Sequence, residues 1–306
     1  MDAGGMKILV IVVSYNGRNC IRHCLSPITS AGPNFETLVV DNGSSDGTPE
    51  IIKKEFPQVK LIVSERNEGF GAANNIGFRY ALKNGFDFVY LLNQDARITP
   101  ENIEKLVKIN VANPEYGIVS PLQLYEGMTK MDDNFSKTLP RMLINDCVVS
   151  LTDRPEIYAT ENRMVQAAHW LINCEVLKKV GGFSPAFFHY GEDHNFCHRV
   201  LYWGYKIGIV PSVWGVHDRE NRFDSEEKKI YLLGQRWRFY LSDPRISNKR
   251  GVWMVAHSFR SSFRQYKFKI IRPLLSVCME TRKIFRIKKK GYFQGAYLGE
   301  SSYRQL

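Results

Sequence analysis

The first hundred residues of this chain are written in blocks. Six consecutive apolar residues, Ile8–Val13, stop at the polar turn Ser14-Tyr15-Asn16-Gly17. Comparable short runs recur at Glu36–Val40, Lys60–Ser64 and Phe88–Leu92, and stretches of helical spacing lie between them near Cys20–Ile28, Thr48–Glu55 and Ala72–Lys83. The runs have the length of strands and do not alternate with polar residues, so both of their faces are covered. Strands separated by single helices predict an α/β layer with a mostly parallel central sheet and helices on both sides. In such sheets the ligand sits beyond the carboxyl ends of the strands.

Polar clusters fall at those ends: Ser14-Tyr15-Asn16, then Asp41 to Gly47, Glu65-Arg66-Asn67 and Asn93-Gln94-Asp95. The Asp41–Gly47 loop can cradle a base and ribose with its Asp, Asn and Ser groups, while Asp46-Gly47-Thr48-Pro49 also reads as a helix cap. Asp95 stands at the mouth of a buried strand, where a carboxylate is costly without a partner. A divalent cation is one partner, taking a carboxylate together with phosphates; an N-cap role before Thr99-Pro100-Glu101 is the other reading. Glu192 and Asp193 open a helical stretch, where dipole stabilisation or general-base work would each suit them. His217 follows the apolar run Ile207–Val216 and carries little weight alone. His189, His194 and His198 crowd Glu192, yet their spacing fits no zinc pattern.

Residues Tyr125–Asn162 show neither strand nor helix period and read as an excursion over the crevice. Beyond about Asn221 the pattern becomes helical, basic and aromatic, with helices expected over Tyr231–Leu241 and Val252–Phe268. Of the net charge of +11, residues 222–306 hold 20 Lys/Arg against 6 Asp/Glu, and the preceding residues 22 against 25. The basic segment seeks phosphates, on a nucleic acid, an anionic membrane or a pyrophosphate-bearing substrate. Two units are therefore expected, 7–220 and a helical basic extension over 221–306. The six scattered cysteines have no disulfide-framework spacing and read as reduced thiols of a cytoplasmic protein. Ile8–Val13 is too short for a signal-peptide core or a membrane span, and Met1–Gly5 reads as a leader.

Taken in order, several segments resemble the family 2 glycosyltransferases of the GT-A fold, in particular a bacterial rhamnosyltransferase-like branch. They are Val13-Ser14-Tyr15-Asn16, Val39 to Gly47, Asn67 to Asn75, Leu92 to Ala96, Gly181-Gly182-Phe183 and Phe187 to Asp193, and the resemblance runs from residue 7 to about 220. It implies a nucleotide-sugar donor held by Ser14, Tyr15, Asn16, Asp41, Asn67, Gly71, Asn74, Asn93 and Gln94, with Asp41 near the base. It implies Mg²⁺ or Mn²⁺ on Asp95, with Asn93 in place of the first acid of the Asp-x-Asp signature and His217 as a further ligand. Asp193 falls on the family's catalytic base, with Glu192 assisting acceptor placement, for a single displacement with inversion. The implied acceptor is a glycan or a lipid-pyrophosphate-linked sugar in surface polysaccharide synthesis, and the donor dTDP-rhamnose or a UDP-hexose. His169-Trp170 replaces small residues and suggests an altered acceptor or sugar pocket.

Two other classes compete. A nucleotidyltransferase shares the crevice and the cation but needs a basic glycine-rich loop where Ser14-Tyr15-Asn16-Gly17 stands. A nucleic-acid-binding protein would use the basic segment but leaves the strand-end carboxylates unexplained. Peripheral attachment to the inner face of the cytoplasmic membrane would also use that segment, through Lys/Arg and aromatic rings at the headgroups.

Overall fold

The computed structural model describes residues 5–139, 156–160, 164–218 and 225–299. The expected strands and helices of the first half are present: β1 (Ile8–Ser14), α1 (Ile21–Leu25), β2 (Phe35–Asp41), α2 (Thr48–Glu55), β3 (Lys60–Val63), α3 (Phe70–Lys83) and β4 (Phe88–Asn93). The chain continues through β5 (Ala96–Arg97), α4 (Pro100–Ala112), β6 (Tyr116–Leu124), the short α5 (Asp133–Ser136), β7 (Tyr158–Ala159), β8 (His169–Asn173), α6 (Cys174–Val180), α7 (Glu192–Tyr202) and β9 (Lys206–His217). Among the described residues these strands form one sheet in the order β3-β2-β1-β4-β8-β6-β9-β5, with β7 on β9. Pairing is parallel across β3-β2-β1-β4 and between β6 and β9, and antiparallel at β8, β5 and β7.

The uninterrupted apolar run of β1 has a simple cause. Leu9, Ile11 and Val13 join Phe78, Trp170, Phe183 and Phe196 on one face, whereas Ile8, Val10 and Val12 join Ile21, Leu25, Ile52 and Ile103 on the other. Each face of the sheet thus has its own helical cover, and the period of two is hidden because both sets are apolar. His169 and Trp170 are fully buried here. Trp170 stacks on Phe183, with centroids 6.1 Å apart and planes at 14°, so its ring is part of the core.

The part of the Tyr125–Asn162 excursion that is described contains α5 and β7, so it is not without regular structure. Residues 140–155 and 161–163, which include Cys147, lie outside the described residues, as do 219–224, on which the expected boundary between the two units falls.

After them come α8 (Glu226–Ser242), α9 (Asn248–Tyr266) and, following a 3-10 turn over Lys267–Ile270, α10 (Ile271–Lys290). Ser225 and Ser247 cap α8 and α9 by accepting from the N–H groups of Lys228 and Arg250. The three helices share a core of Leu233, Trp237, Leu241, Val255, Ile270, Val277 and Ile284. They dock on α7 through Asp243, whose carboxylate meets His198 at 2.9 Å and Arg245 at 2.9 Å. The following turn returns to the sheet: Gly182 N–H donates to the Ala296 carbonyl at 2.7 Å and Asn75 to that of Tyr297 at 3.3 Å.

Candidate active site

Register alone brings the first polar clusters together. Ser14 pairs with Asp41 across β1 and β2, and Val13 with Asn93 across β1 and β4, so three strand ends open on one edge. The Asp41 carboxylate is fully buried and accepts from Ser14 Oγ (2.7 Å), Ser44 N–H (2.9 Å) and Ser44 Oγ (2.6 Å). Asn16, at φ 48°, donates its N–H to Ser44 Oγ at 2.8 Å and accepts the Ser45 N–H at 3.0 Å. The left-handed conformation suits an asparagine. Asn42 and Asn67 close the neighbouring turn at 2.9 Å. Gln94 clasps both backbone groups of Tyr15, at 2.9 and 3.2 Å, tying the first loop to the end of β4. Asp46, by contrast, serves the helix: it accepts Thr48 N–H at 3.1 Å. The ring of Tyr15 is 45 % exposed at the rim.

Gly71 and Asn74 lie within α3 and not in a loop. Asn74 is buried and donates to the Phe70 carbonyl at 3.0 Å, while Asn75 bonds Phe183 at its N–H (2.7 Å) and carbonyl (3.0 Å). A side chain at Gly71 would meet Phe183 Cβ at 2.9 Å and Glu192 Cβ at 3.7 Å. The glycine is therefore what lets α3 approach Phe183, whereas the contact with Glu192 would be an ordinary one. Arg199, itself buried, holds the Gly181-Gly182 turn from behind through the Val180 carbonyl at 2.7 Å and the Gly182 carbonyl.

Asp95 is not an N-cap; Thr99 occupies that position before α4. The pairing of Ala96 with His217 sets Asp95 beside the end of β9, and Asp218 N–H donates to the Asp95 carbonyl at 2.8 Å. His217 Nε2 lies 3.6 Å from Asp95 Oδ1, and its Nδ1 lies 3.5 Å from Asp132 Oδ2. Asp132 is fully buried and accepts the Phe135 N–H at 2.9 Å, so α5 fixes it. Behind the strand, His169 is neutral: burial pushes it down to about 3. Its Nε2 stands 3.0 Å from the Val216 carbonyl, which can only accept, so that nitrogen carries the proton and Nδ1 receives the Tyr90 hydroxyl at 2.9 Å.

These residues fit a divalent cation. Asp95 and His217 face each other at a spacing too long for a hydrogen bond and suited to two ligands of one ion. Asp132, 3.5 Å beyond the far nitrogen, is placed where a small shift of the ring would complete the carboxylate–histidine arrangement that orients a ligating imidazole. The buried Asn93 Oδ1 accepts no hydrogen bond. Among the described residues no three acidic, imidazole or thiol groups converge on one point. A hexacoordinate ion would accordingly draw its other ligands from phosphates and water. Sequence reasoning missed Asp132, which lies in the segment without a period; Met131 bridging Leu124 is what carries it to the end of β6.

Tyr190 (φ 67°) and Gly191 (φ 97°) turn the chain into α7, placing Glu192 and Asp193 in its first turn. Burial, and then the charge of Asp193, raise Glu192 to about 8. Burial alone would also raise Asp193, but the charge of His194 and hydrogen bonds from its ring (3.0 Å) and N–H (2.7 Å) hold it below the ordinary range. The two shifts run in opposite directions, favouring the proton on Glu192 and the charge on Asp193. Among the other histidines, His198 is spent on Asp243 and His189 packs on Tyr190.

Residues 9–181 match the family model of glycosyl transferase family 2. The chain belongs to that family. This family 2 glycosyltransferase is 28 % identical over 301 residues to the low-salt glycan biosynthesis hexosyltransferase Agl10 of Haloferax volcanii, covering 95 % of this chain and 88 % of that one. It is 25 % identical over 300 residues to the dTDP-rhamnosyl transferase RfbF of Shigella flexneri, covering 92 % of each. The fold, GT-A, is that of Staphylococcus aureus TarS 1–349 in complex with UDP-GlcNAc, at a TM-score of 0.55 and 16 % identity over 98 % of this chain and 92 % of that one. The glycosyltransferase is a hexosyltransferase enzyme of mixed α/β architecture with a helical C-terminal region.

Proposed function

We propose that this glycosyltransferase transfers a hexose or 6-deoxyhexose, with inversion, from a UDP- or dTDP-sugar to a hydroxyl of a glycan or lipid-linked sugar. The observation that carries the reading is the placement of Glu192 and Asp193 together in the first turn of α7, with Glu192 Oε2 buried and without a hydrogen bond and Asp193 paired to the His194 ring at 3.0 Å. An ionised Asp193 can take the acceptor hydroxyl's proton while a neutral Glu192 donates a hydrogen bond to the same substrate. Ser14, Tyr15, Asn16, Asp41, Asn67, Gly71, Asn74, Asn93 and Gln94 shape the nucleotide cradle, with Asp41, Asn74 and Gln94 acting from behind by holding backbone in place. Asp95 and His217 would hold Mg²⁺ or Mn²⁺, whose charge offsets that of the departing diphosphate. Asp132 keeps the His217 ring turned toward Asp95.

The two units, 7–220 and 221–306, divide the work: the first holds the donor, and the second reaches the acceptor and a membrane face. Trp253, Phe268, Leu275, Met279 and Phe293 are 53–80 % exposed on helices and turns rich in Lys and Arg, whereas Trp237 is buried, so the aromatic residues of this region are partly core and partly surface. Exposed rings among cations suit peripheral attachment at the inner face of the cytoplasmic membrane. No described helix is long and apolar enough to cross a membrane. The test is a thermal-shift series of UDP- and dTDP-sugars with and without Mn²⁺, followed by NMR of the anomeric configuration of the product. Metal-dependent stabilisation by a nucleotide sugar and an inverted product are expected; retention of configuration would refute the mechanism.

A further inference from the structure

A cavity of about 460 Å³ lies between the 185–188 loop, α8 and α10, and neither the donor cradle nor the cation pair uses it. Its volume is within the range of ordinary ligand sites, about 300–1,000 Å³. One wall is the loop that runs directly into Glu192 and Asp193, and Gln235 Cβ on the opposite wall lies 3.8 Å from where a side chain on Gly191 would begin. The cavity therefore adjoins the carboxyl pair.

Its lining has a definite chemistry. Phe188 and Tyr231 are 56 % and 41 % exposed, and the Tyr231 hydroxyl donates to the His189 carbonyl at 2.9 Å, so that ring is held in place. Gln235 is only 7 % exposed, yet its Oε1 accepts no hydrogen bond. A buried amide oxygen in that condition is uncommon and is met most simply by a donor on a ligand. Arg238 is bonded to both Glu280 oxygens, at 2.9 and 3.1 Å, so the inner cation is neutralised by an acid that an anionic ligand would also meet.

We infer that this cavity is the acceptor subsite and that it takes an uncharged, hydroxyl-rich sugar unit, its apolar face on Phe188 or Tyr231 and a hydroxyl donating to Gln235. The inference rests on the glycosyltransferase reading above. Phosphate or pyrophosphate groups of a longer acceptor stay outside, near the exposed Arg272 at the rim.

Saturation-transfer NMR with methyl β-lactoside, methyl β-maltoside and methyl α-rhamnobioside, beside inorganic pyrophosphate, tests it on the full chain with Mn²⁺ and UDP present. At least one neutral disaccharide should bind the wild type, with affinity changing less than about twofold between low and 0.5 M salt, since no net charge is engaged. Gln235→Leu and Ala186→Trp, the latter filling the cavity from its other wall, should each weaken it at least fivefold while UDP binding persists. Persistence of UDP binding also shows that the variants are folded. Binding of pyrophosphate alone, equal disaccharide binding in both variants, or no disaccharide binding in a protein that still hydrolyses its nucleotide-sugar donor would overturn the subsite. Absence of both UDP binding and donor hydrolysis in the wild type would instead sink the underlying reading.

Discussion

Asp41 and Glu192 are both buried carboxyl groups at the mouth of one sheet, yet their surroundings are opposite. Asp41 accepts three hydrogen bonds from Ser14 and Ser44, whereas Glu192 Oε2 accepts none. The same contrast extends to the residues around them. On the donor side Asn16, Asn42, Asn67 and Gln94 satisfy one another or the backbone, Asn93 Oδ1 beside the cation pair being the exception, and on the α7 side Glu192 and Gln235 keep buried oxygens without partners. A self-satisfied cradle is organised before its ligand arrives, which spares ordering cost on binding. A region with unmet acceptors and a protonated acid is organised for groups that a substrate brings. On the function proposed above, the first half binds the donor and the second reacts.

The strongest way to break that comparison is Asp193→Asn. If the α7 side does the chemistry, turnover should fall about 10²- to 10⁴-fold. Titration with UDP should give an affinity close to that of the wild type, because the donor cradle does not involve Asp193. A large loss of UDP affinity would show that the two halves are not separable in this way.

Asp243→Ala tests whether the α7 side depends on the helices behind it. Asp243 is 6 % exposed and joins the buried His198 of α7 to the partly buried Arg245, so losing it removes two hydrogen bonds to a charged group, each contributing about 1.5–3 kcal/mol. Burial would raise this carboxyl, but the hydrogen bonds of His198 and Arg245 outweigh it and hold it well below the ordinary value. Its stabilisation is accordingly full above the unfolded carboxylate range and is lost as pH falls through the lowered folded value. Urea melts should show a large loss at pH 7 that shrinks toward acid pH. A uniform loss at all pH values would point to packing instead of charge.

The cation pair bridges the two halves, and Asp132→Asn examines its support. An amide can still touch Nδ1 but orients the ring less well, so Mn²⁺ affinity in the presence of UDP should drop about 10- to 100-fold by calorimetry. His217→Ala should lose at least as much. An Asp132→Asn protein with wild-type Mn²⁺ affinity would return Asp132 to a purely structural role.

The halves also differed in how far the sequence revealed them. β1 to β4 were legible because each is a short, largely apolar run ended by Ser14, Asp41, Ser64 or Asn93, although β4 pairs with β1 and not with its sequence neighbour β3. Asp95, Glu192, Asp193 and His217 were legible by type and position. Asp132 was not, since its role depends on β6 lying parallel to β9 some ninety residues later, a pairing that no local pattern encodes. The burial of His169 and Trp170 was not legible from their replacing small residues, since it depends on Tyr90 and the Val216 carbonyl satisfying the imidazole inside the core. α10 was blurred by Pro273 in its first turn and by Leu275 and Met279, exposed residues that interrupt its apolar stripe. Gln235 reads as an ordinary helical residue until α8 is seen against Gly191.

The smallest effect is the most discriminating. Glu192 has an ordinary value of 4.5 and is raised to about 8 in the fold, first by burial and then by Asp193. Between those values the folded chain keeps a proton that the unfolded chain has released, so folding stability falls as pH rises through this window. Turnover should behave likewise: it holds through neutrality and declines above about pH 8, where Glu192 becomes a second negative charge and can no longer donate. Glu192→Gln retains a neutral donor of the same shape. Its rate at pH 7 should stay within about tenfold of the wild type, a loss no larger than one hydrogen bond explains. Its alkaline limb should disappear, and urea melts at pH 9 should find it at least as stable as the parent. A limb that stays near pH 8 in Glu192→Gln would assign the titration to another group and remove the protonated acid from the reacting half.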